Sequence, residues 1–160
     1  MLQRNLCGPL VLSKPNSTRT YMVISMDESA QETLFLTFKA VIDDVIADKR
    51  KNPKNTKLLN QFQARINIGL HVEQDFILWV NLVADAGEYT LSRGLLDEYD
   101  LELIADPEDL MYFTNGQFST LKMMTGKNRF GKRKLRYSGG TTGRNMGKLL
   151  KLPKILVLDK

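Results

Sequence analysis

The order of helical and strand-like segments predicts an α+β domain: a mostly antiparallel five-stranded sheet with helices packed on one face. Three observations lead to this fold class. An amphipathic helical segment comes first, four short strand-like segments follow it, and the hydrophobic period then returns to that of helices with a single strand among them. Such an order is typical of one sheet whose helices are segregated to one side.

A domain over residues 27–160 is expected, preceded by an N-terminal extension over residues 1–26. Pro9 and Pro15 interrupt any regular hydrophobic period in the extension, and residues 20–24 could either add a strand or form a loose arm. With 160 residues, the chain has the size of a single domain whose core needs neither disulfides nor a metal.

The first helix is predicted to begin at Ser29. Ser29 and Glu32 have the spacing of a capping box, in which each side chain accepts a hydrogen bond from the other residue's backbone N–H. Apolar residues then recur at helical spacing from Leu34 to Val45, and Pro53 is expected to end the helix. A short helical turn is expected at 57–63.

Four strands are predicted between residues 66 and 103. The segment 66–72 alternates apolar and polar residues, whereas 76–84 is apolar on both faces, which indicates a central strand or one covered on both sides. A third strand is centred on Tyr89 and Leu91, and a fourth alternates over 99–103.

The second half of the chain returns to helical spacing. Asp106 and Pro107 are a capping acid and a proline at the first helical position, and Ser119 caps a second short helix. The remaining predicted elements are a basic strand at 132–137, a glycine-rich loop at 138–143, and a last helix at 144–152 that Pro153 ends.

Charge is segregated along the chain, although the net charge is only +5. Between Glu73 and Leu110 there are eleven acidic residues and one base, whereas from Lys122 onward there are twelve bases and one acid. The two surfaces can attract each other or keep the protein dissolved. Alternatively, the basic third faces an anionic partner such as a membrane surface, a phosphorylated lipid or nucleic acid.

The chain contains one cysteine, Cys7, and one histidine, His71. A single cysteine forms no intrachain disulfide, so a cytoplasmic location is expected. A zinc site of the Cys/His type cannot form, and Ser-His-Asp or Cys-His catalysis would need His71, which lies in a predicted strand. We therefore expect a protein that is not an enzyme, with no catalytic residues, no metal and no cofactor.

The second half of the sequence resembles the sterol carrier protein type-2 (sterol-transfer) domain family. The resemblance is carried by residues 100–110 (DLELIADPEDL), 114–116 (TNG), 124–126 (MTG), 131–139 (GKRKLRYSG) and 146–150 (MGKLL). In that family an edge strand leads into a helix that begins at an acid, and a glycine–basic–leucine strand precedes a leucine-rich last helix. The resemblance covers roughly residues 30–152 and implies an apolar tunnel between sheet and helices for a lipid, acyl chain or sterol.

The resemblance also implies which side chains line such a tunnel. Flexible methionines in the helical half suit a surface that accepts varied apolar shapes, although ordinary core filling explains them equally well. The predicted ligand-binding residues are Phe76, Leu78, Val80, Leu103, Met111, Phe113, Met123, Met124, Met146, Leu149 and Leu150.

Contact with an anionic surface is predicted for Arg133, Arg136, Arg144 and Lys148. The glycine-rich loop before the last helix does not match a nucleotide-binding P-loop, because Leu149 stands where a serine or threonine would bind magnesium. A weaker option is that this helix start, with Arg144 and Lys148, holds a lipid phosphate or carboxylate.

The leading hypothesis is non-catalytic binding of a lipid-like or fatty-acid-like molecule, with transfer as its extension and an anionic membrane as a transient partner. One alternative is an interaction module with the same fold and no open cavity. Another is a binder of anionic surfaces or nucleic acid through the basic third, with nucleic acid the less favoured partner. The sequence does not predict the oligomeric state.

Overall fold

The structure is a computed structural model that describes residues 26–143 and 145–159; the predicted extension before Met26 and the predicted contact Arg144 lie outside the described residues. The helices are α1 (Glu28–Lys51), α2 (Pro53–Gln61), α3 (Pro107–Thr114), α4 (Thr120–Thr125) and α5 (Met146–Leu156). The strands are β1 (Ala64–Glu73), β2 (Phe76–Asp85), β3 (Glu88–Arg93), β4 (Leu101–Ala105) and β5 (Leu135–Gly139). Within this part of the chain, no helix combines the length and apolar composition needed to cross a bilayer.

The five strands form one mixed sheet in the order β3-β2-β1-β4-β5. Three neighbouring pairs are antiparallel, but β1 and β4 run parallel, with Ile68 opposite Leu103. The predicted five-stranded, mostly antiparallel α+β sheet is therefore confirmed, and the structure adds that one strand pair is parallel, which makes the sheet mixed. The reason is topological: β2 already pairs with β1 and β3, so β4 joins the free edge of β1, and an alternating pattern carries no strand direction.

The main core lies between one face of the sheet and the helices. Side chains two residues apart on a strand point to the same face, so Ile66, Ile68 and Leu70 of β1 all point toward the helices. On α1 the spacing of Phe38, Ile42 and Ile46 produces a continuous buried stripe. The rest of the core is contributed by β2, Leu91 of β3, β4 and α5, with Leu59 of α2 at its edge. The expectation of helices on one face is confirmed.

Loops, rather than helices, cover part of the opposite face of the sheet. Asn67 of β1 exchanges two hydrogen bonds with the backbone of Leu96: its amide nitrogen donates to the carbonyl at 3.1 Å, and its oxygen accepts from the N–H at 2.8 Å. The ring of His71 lies 4.3 Å from that of Phe130. The side chains of Asn67 and His71 are consequently buried.

The start of α1 differs from the sequence prediction. Asp27, not Ser29, is the N-cap, and its carboxylate accepts a hydrogen bond from the N–H of Ala30 at 2.7 Å. Glu32 instead forms a 3.0 Å ion pair with Arg93 at the end of β3. The predicted capping box is therefore wrong, because a carboxylate two residues earlier satisfies the helix end and a tertiary ion pair occupies Glu32.

The end of α5 also differs, because the helix continues through Pro153 to Leu156. Proline inside a helix removes one backbone hydrogen bond and crowds the preceding turn. Ile155 and Leu156 follow the proline and are buried in the core. Their burial outweighs the cost of the proline, so the prediction that Pro153 ends the helix is wrong.

Candidate functional site

A small, largely enclosed apolar cavity of about 30 Å³ lies between the sheet and the helices. Strands β1, β4 and β5 form its floor, and helices α1, α3, α4 and α5 form its walls and roof. Thr114 is the one lining residue with a polar side chain. The cavity is lined by Phe38, Ile42, Ile68, Leu103, Ala105, Leu110, Phe113, Thr114, Met123, Leu135, Leu152 and Leu156.

Local spacing explains why these side chains converge. On β4, Leu103 and Ala105 are two residues apart and so point to the same face of the sheet. On α5, Leu152 and Leu156 are four residues apart and lie one above the other on the side that faces the sheet. Met123, at 1% exposure, reaches the cavity from α4.

The last turn of α3 separates this cavity from two open grooves. Phe113 lines the cavity on one side and, on the other, a groove of about 550 Å³ between the α3–α4 connection and the end of α5. Thr114 likewise borders a second groove of about 460 Å³ between α1, α3 and Leu158. An outward shift of this turn would therefore join the cavity to a space within the usual size range of ligand pockets.

The N-terminal end of α5 is held by Asp100, just before β4. The Asp100 carboxylate forms an ion pair with Lys148 of α5 at 2.7 Å and accepts a hydrogen bond from the Thr142 hydroxyl at 2.7 Å. The N–H of Arg65 donates to the same carboxylate at 2.8 Å. Burial alone would raise the pKa of Asp100, but these three donors together lower it below its usual value.

The C-terminal end of α5 is held by a second carboxylate. Asp159 accepts a hydrogen bond from the buried ammonium of Lys49 on α1, and another from the side-chain amide of Asn55 at 2.6 Å. The Lys49 and Asn55 hydrogen bonds lower the pKa of Asp159. The N–H of Leu158 also donates to the carbonyl of Thr114 at 2.8 Å, so the end of the chain is tied to the last turn of α3.

Two further ion pairs connect the basic third of the chain to the acidic start of α3. Arg129 contacts the buried Asp106 at 2.6 Å, and Lys134 contacts Asp109 at 2.5 Å. Together with the pair at Asp100, they show that part of the segregated charge is neutralised within the fold. This part of the basic segment therefore holds α3 and the strand β5 together.

The predicted ligand-binding residues fall into three groups. Leu103, Phe113 and Met123 line the cavity. Leu78, Val80 and Leu149 are buried elsewhere in the core, Phe76 packs half-buried against it, and Met124 is half-buried on α4. Met111, Met146 and Leu150 are 46, 44 and 65% exposed, so the structure does not bring them to the cavity. A role of any of these residues in ligand binding stays a prediction.

Three of the residues predicted to contact an anionic surface, Arg133, Arg136 and Lys148, lie on different elements of the described structure. Arg133 is exposed in the loop before β5, and Lys148 is engaged by Asp100. Arg136 lies on β5 opposite Ile104, on the sheet face away from the helices. Its Nε and Nη2 atoms are buried and find no hydrogen-bond partner among the described residues. These side chains therefore do not form one continuous patch.

Sequence reasoning missed most of the cavity lining. Several of these residues had a usable signal: Ala105 continues the alternation of Leu103, and Phe38 and Ile42 belong to the α1 stripe. Such patterns identify a buried face, but they do not locate the gap that packing leaves on it. The lining residues that were not predicted are Phe38, Ile42, Ile68, Ala105, Leu110, Thr114, Leu135, Leu152 and Leu156.

His71 lies outside the cavity, on β1. Its side chain is buried, and its Nε2 atom is 3.2 Å from the carbonyl oxygen of Gln74. Across the described residues, no group of three or more His, Cys, Asp or Glu side chains is arranged to hold a metal ion.

Comparison with known proteins identifies the fold. No protein-family model matches the sequence, and no curated protein matches it. The solved structure of a UbiJ-SCP2 ubiquinone synthesis protein is similar with a TM-score of 0.55 and 11% identity, covering 76% of this chain and 93% of its own. The sterol carrier protein domain 2 of Helicoverpa armigera has a TM-score of 0.53 and 14% identity, covering 77% of this chain and 84% of its own.

Sterol carrier protein 2 from Yarrowia lipolytica, in its apo form, is also similar. Its TM-score is 0.51 and its identity 19%, and the match covers 84% of this chain and 95% of that protein. At these identities the likeness concerns the fold alone. The resemblance inferred from residues 100–150 is thus confirmed as a sterol carrier protein 2-like fold.

Proposed function

We propose, on the premise that this chain has the sterol carrier protein 2 fold, that it binds a lipid-like apolar molecule and catalyses no reaction on it. The observation that carries the proposal is the apolar cavity enclosed between sheet and helices, at the place where α3, α4 and α5 meet the strands. The ligand would be held by removal of its apolar surface from water, at about 25 cal/mol per Å².

Binding requires the cavity to enlarge, because about 30 Å³ accommodates no acyl chain. The last turn of α3 is the natural partition to move, since Phe113 and Thr114 each border both the cavity and an open groove. Helix α5, held at its two ends by Asp100 and Asp159, would remain as the opposite wall. The described conformation is then the closed one.

Ligand uptake is the direct test. The purified full chain is titrated with a fluorescent long-chain fatty acid, and its extracted contents are analysed by mass spectrometry. We expect saturable uptake and a co-purifying lipid. Neither uptake nor co-purifying lipid would favour the alternative, an interaction module with the same fold and a fully packed interior.

A cavity-filling variant makes the test specific to this site. Ala105→Val places added methyl groups in the cavity, since Ala105 is 2% exposed and lines it. Ala84→Val adds the same volume at a site that is 3% exposed in the core and does not line the cavity. Uptake should weaken about tenfold or more in the first variant only. The added methyl groups would exclude one or two methylene groups of the ligand, whose burial is worth about 0.8 kcal/mol each, and a tenfold change in affinity corresponds to ~1.4 kcal/mol.

The expected cytoplasmic location and the domain boundary at residue 27 stay predictions.

A further inference from the structure

The outer faces of α4 and α5 expose aliphatic side chains next to lysines. Leu121 of α4 is 70% exposed, and Leu150 and Met146 of α5 are 65 and 44% exposed. On α5, Met146, Leu150 and Lys154 are spaced four residues apart, so they lie on one side of the helix. Large apolar side chains rarely cluster on a surface that faces water alone.

These two helix faces border the same part of the molecular surface. The groove of about 550 Å³ is lined by Thr120 at the start of α4 and by Pro153 and Lys154 near the end of α5. We call the outer faces of α4 and α5, on either side of this groove, the docking surface; Lys154 lines the groove itself. The docking surface consists of Leu121, Lys122, Met146, Leu150, Lys151 and Lys154.

The segment of sequence that carries the docking surface has no acidic side chains. From residue 119 to residue 158 the sequence contains no aspartate or glutamate. The one acid beyond Lys122 is Asp159, which is occupied by Lys49. Among the described residues, no carboxylate forms a salt bridge with Lys151 or Lys154, and the ammonium of Lys122 lies 3.7 Å above the ring of Phe118.

We propose that the docking surface binds the face of an anionic lipid bilayer. Lysines attract anionic headgroups, while leucine and methionine side chains on the same face enter the boundary with the acyl chains. Nucleic acid fits less well, because exposed leucines contribute neither base stacking nor hydrogen bonds to it.

The placement of this surface connects it to the cavity. The opposite sides of the same two helices line the cavity, through Met123 of α4 and through Leu152 and Leu156 of α5. A bilayer on the docking surface would therefore lie across the elements that close the cavity. The connection between bilayer contact and ligand entry rests on the proposed function, whereas the contact with the bilayer itself does not.

Vesicle binding by the full chain tests the proposal. Sedimentation with phosphatidylcholine vesicles that contain phosphatidylserine is compared with sedimentation with phosphatidylcholine alone. Lys151→Gln/Lys154→Gln should weaken binding about 25-fold, since each lysine near an anionic surface contributes about fivefold. Leu121→Ser/Leu150→Ser should weaken it about tenfold or more, because full burial of one leucine is worth at least about tenfold.

Matched variants elsewhere control for charge and for exposed apolar area. Lys54→Gln/Lys57→Gln removes two exposed lysines from α2, and Leu36→Ser/Leu95→Ser removes two leucines that are 52 and 56% exposed. Both controls should bind vesicles as the unaltered chain does. All variants change exposed side chains, and thermal unfolding checks that each one folds.

Three outcomes would overturn the proposal. The first is equal binding to vesicles with and without phosphatidylserine, and the second is an equal loss of vesicle binding in the docking-surface variants and the control variants. The third is that duplex DNA displaces the vesicles while Leu121→Ser/Leu150→Ser leaves vesicle binding unchanged. Uptake of a fluorescent fatty acid without vesicles is measured in parallel. Vesicle binding without uptake would refute the proposed function and leave the docking surface supported.

Discussion

Phe113 is the side chain whose removal tests the partition between cavity and groove most directly. The ring is 7% exposed and borders the cavity on one side and the open groove on the other. Replacing a buried phenylalanine with alanine usually lowers the free energy of unfolding by 3–5 kcal/mol. We expect Phe113→Ala to lose about 3 kcal/mol, at the lower end, because the groove lets neighbouring groups and water fill part of the space.

The same substitution should strengthen ligand binding. Without the ring, the cavity opens into the groove, and binding no longer includes the cost of displacing the last turn of α3. We expect at least about a tenfold gain in affinity for a fluorescent long-chain fatty acid, which corresponds to ~1.4 kcal/mol. The variant would thus be less stable and yet bind more tightly.

Two measurements on each variant separate these effects. Urea unfolding followed by the fluorescence of Trp79, the single tryptophan, measures stability, and titration with the fluorescent fatty acid measures affinity. Leu82→Ala is the control, because Leu82 is 1% exposed in the core but does not line the cavity. It should lose a similar amount of stability and gain no affinity. If Phe113→Ala binds no more tightly than Leu82→Ala, the last turn of α3 is not the barrier between cavity and groove.

The two ends of α5 and its preceding loop provide three further predictions. Asp100→Asn should cost about 2 kcal/mol, the worth of hydrogen bonds to a charged group, and speed hydrogen exchange in α5. Folding lowers the pKa of Asp100 and Asp159, so the stability that these two carboxylates contribute is present above about pH 4 and is lost as the pH falls through the lowered pKa values. The free energy of unfolding should therefore fall less steeply with acid in Asp100→Asn than in the unaltered chain. An unchanged pH profile would contradict this. Gly140→Ala should lower the free energy of unfolding in urea by about 3 kcal/mol, because the added Cβ would lie 1.9 Å from the Tyr99 carbonyl oxygen. Gly147→Ala is the matched control: its added Cβ would have no heavy atom within 4 Å, and it should stabilise α5 by up to about 1 kcal/mol.

Short-range patterns in the sequence were enough to predict most elements of the fold. The alternation in β1, the apolar run in β2 and the caps at Asp106 and Ser119 all correspond to observed strands and helices. Each is a local property, because the pleat period and the unsatisfied N–H groups of a helix end depend only on neighbouring residues. The predicted capping box of α1 does not form, because Asp27 caps the helix and a tertiary partner, Arg93, engages Glu32.

Strand direction and helix length depended on the tertiary structure. Nothing in the alternation of Leu101, Leu103 and Ala105 distinguishes parallel from antiparallel pairing. The free edge of β1 decides where β4 joins the sheet, and the connection that crosses over from β3 decides that it runs parallel to β1. Helix α5 passes Pro153 because burial of Ile155 and Leu156 outweighs a local cost. Both outcomes depend on partners that lie far away along the chain.

The candidate site divides in the same way. The apolar character of this part of the chain, and the place of Leu103, Phe113 and Met123 on buried or helical faces, follow from the sequence pattern. That these three side chains meet around a small cavity, while Met146 and Leu150 point outward, follows from the packing of the elements in three dimensions. A cavity is a gap that remains where several helices and strands pack imperfectly against one another. Its position therefore depends on how these elements are placed relative to each other, and not on the hydrophobic period of any single element.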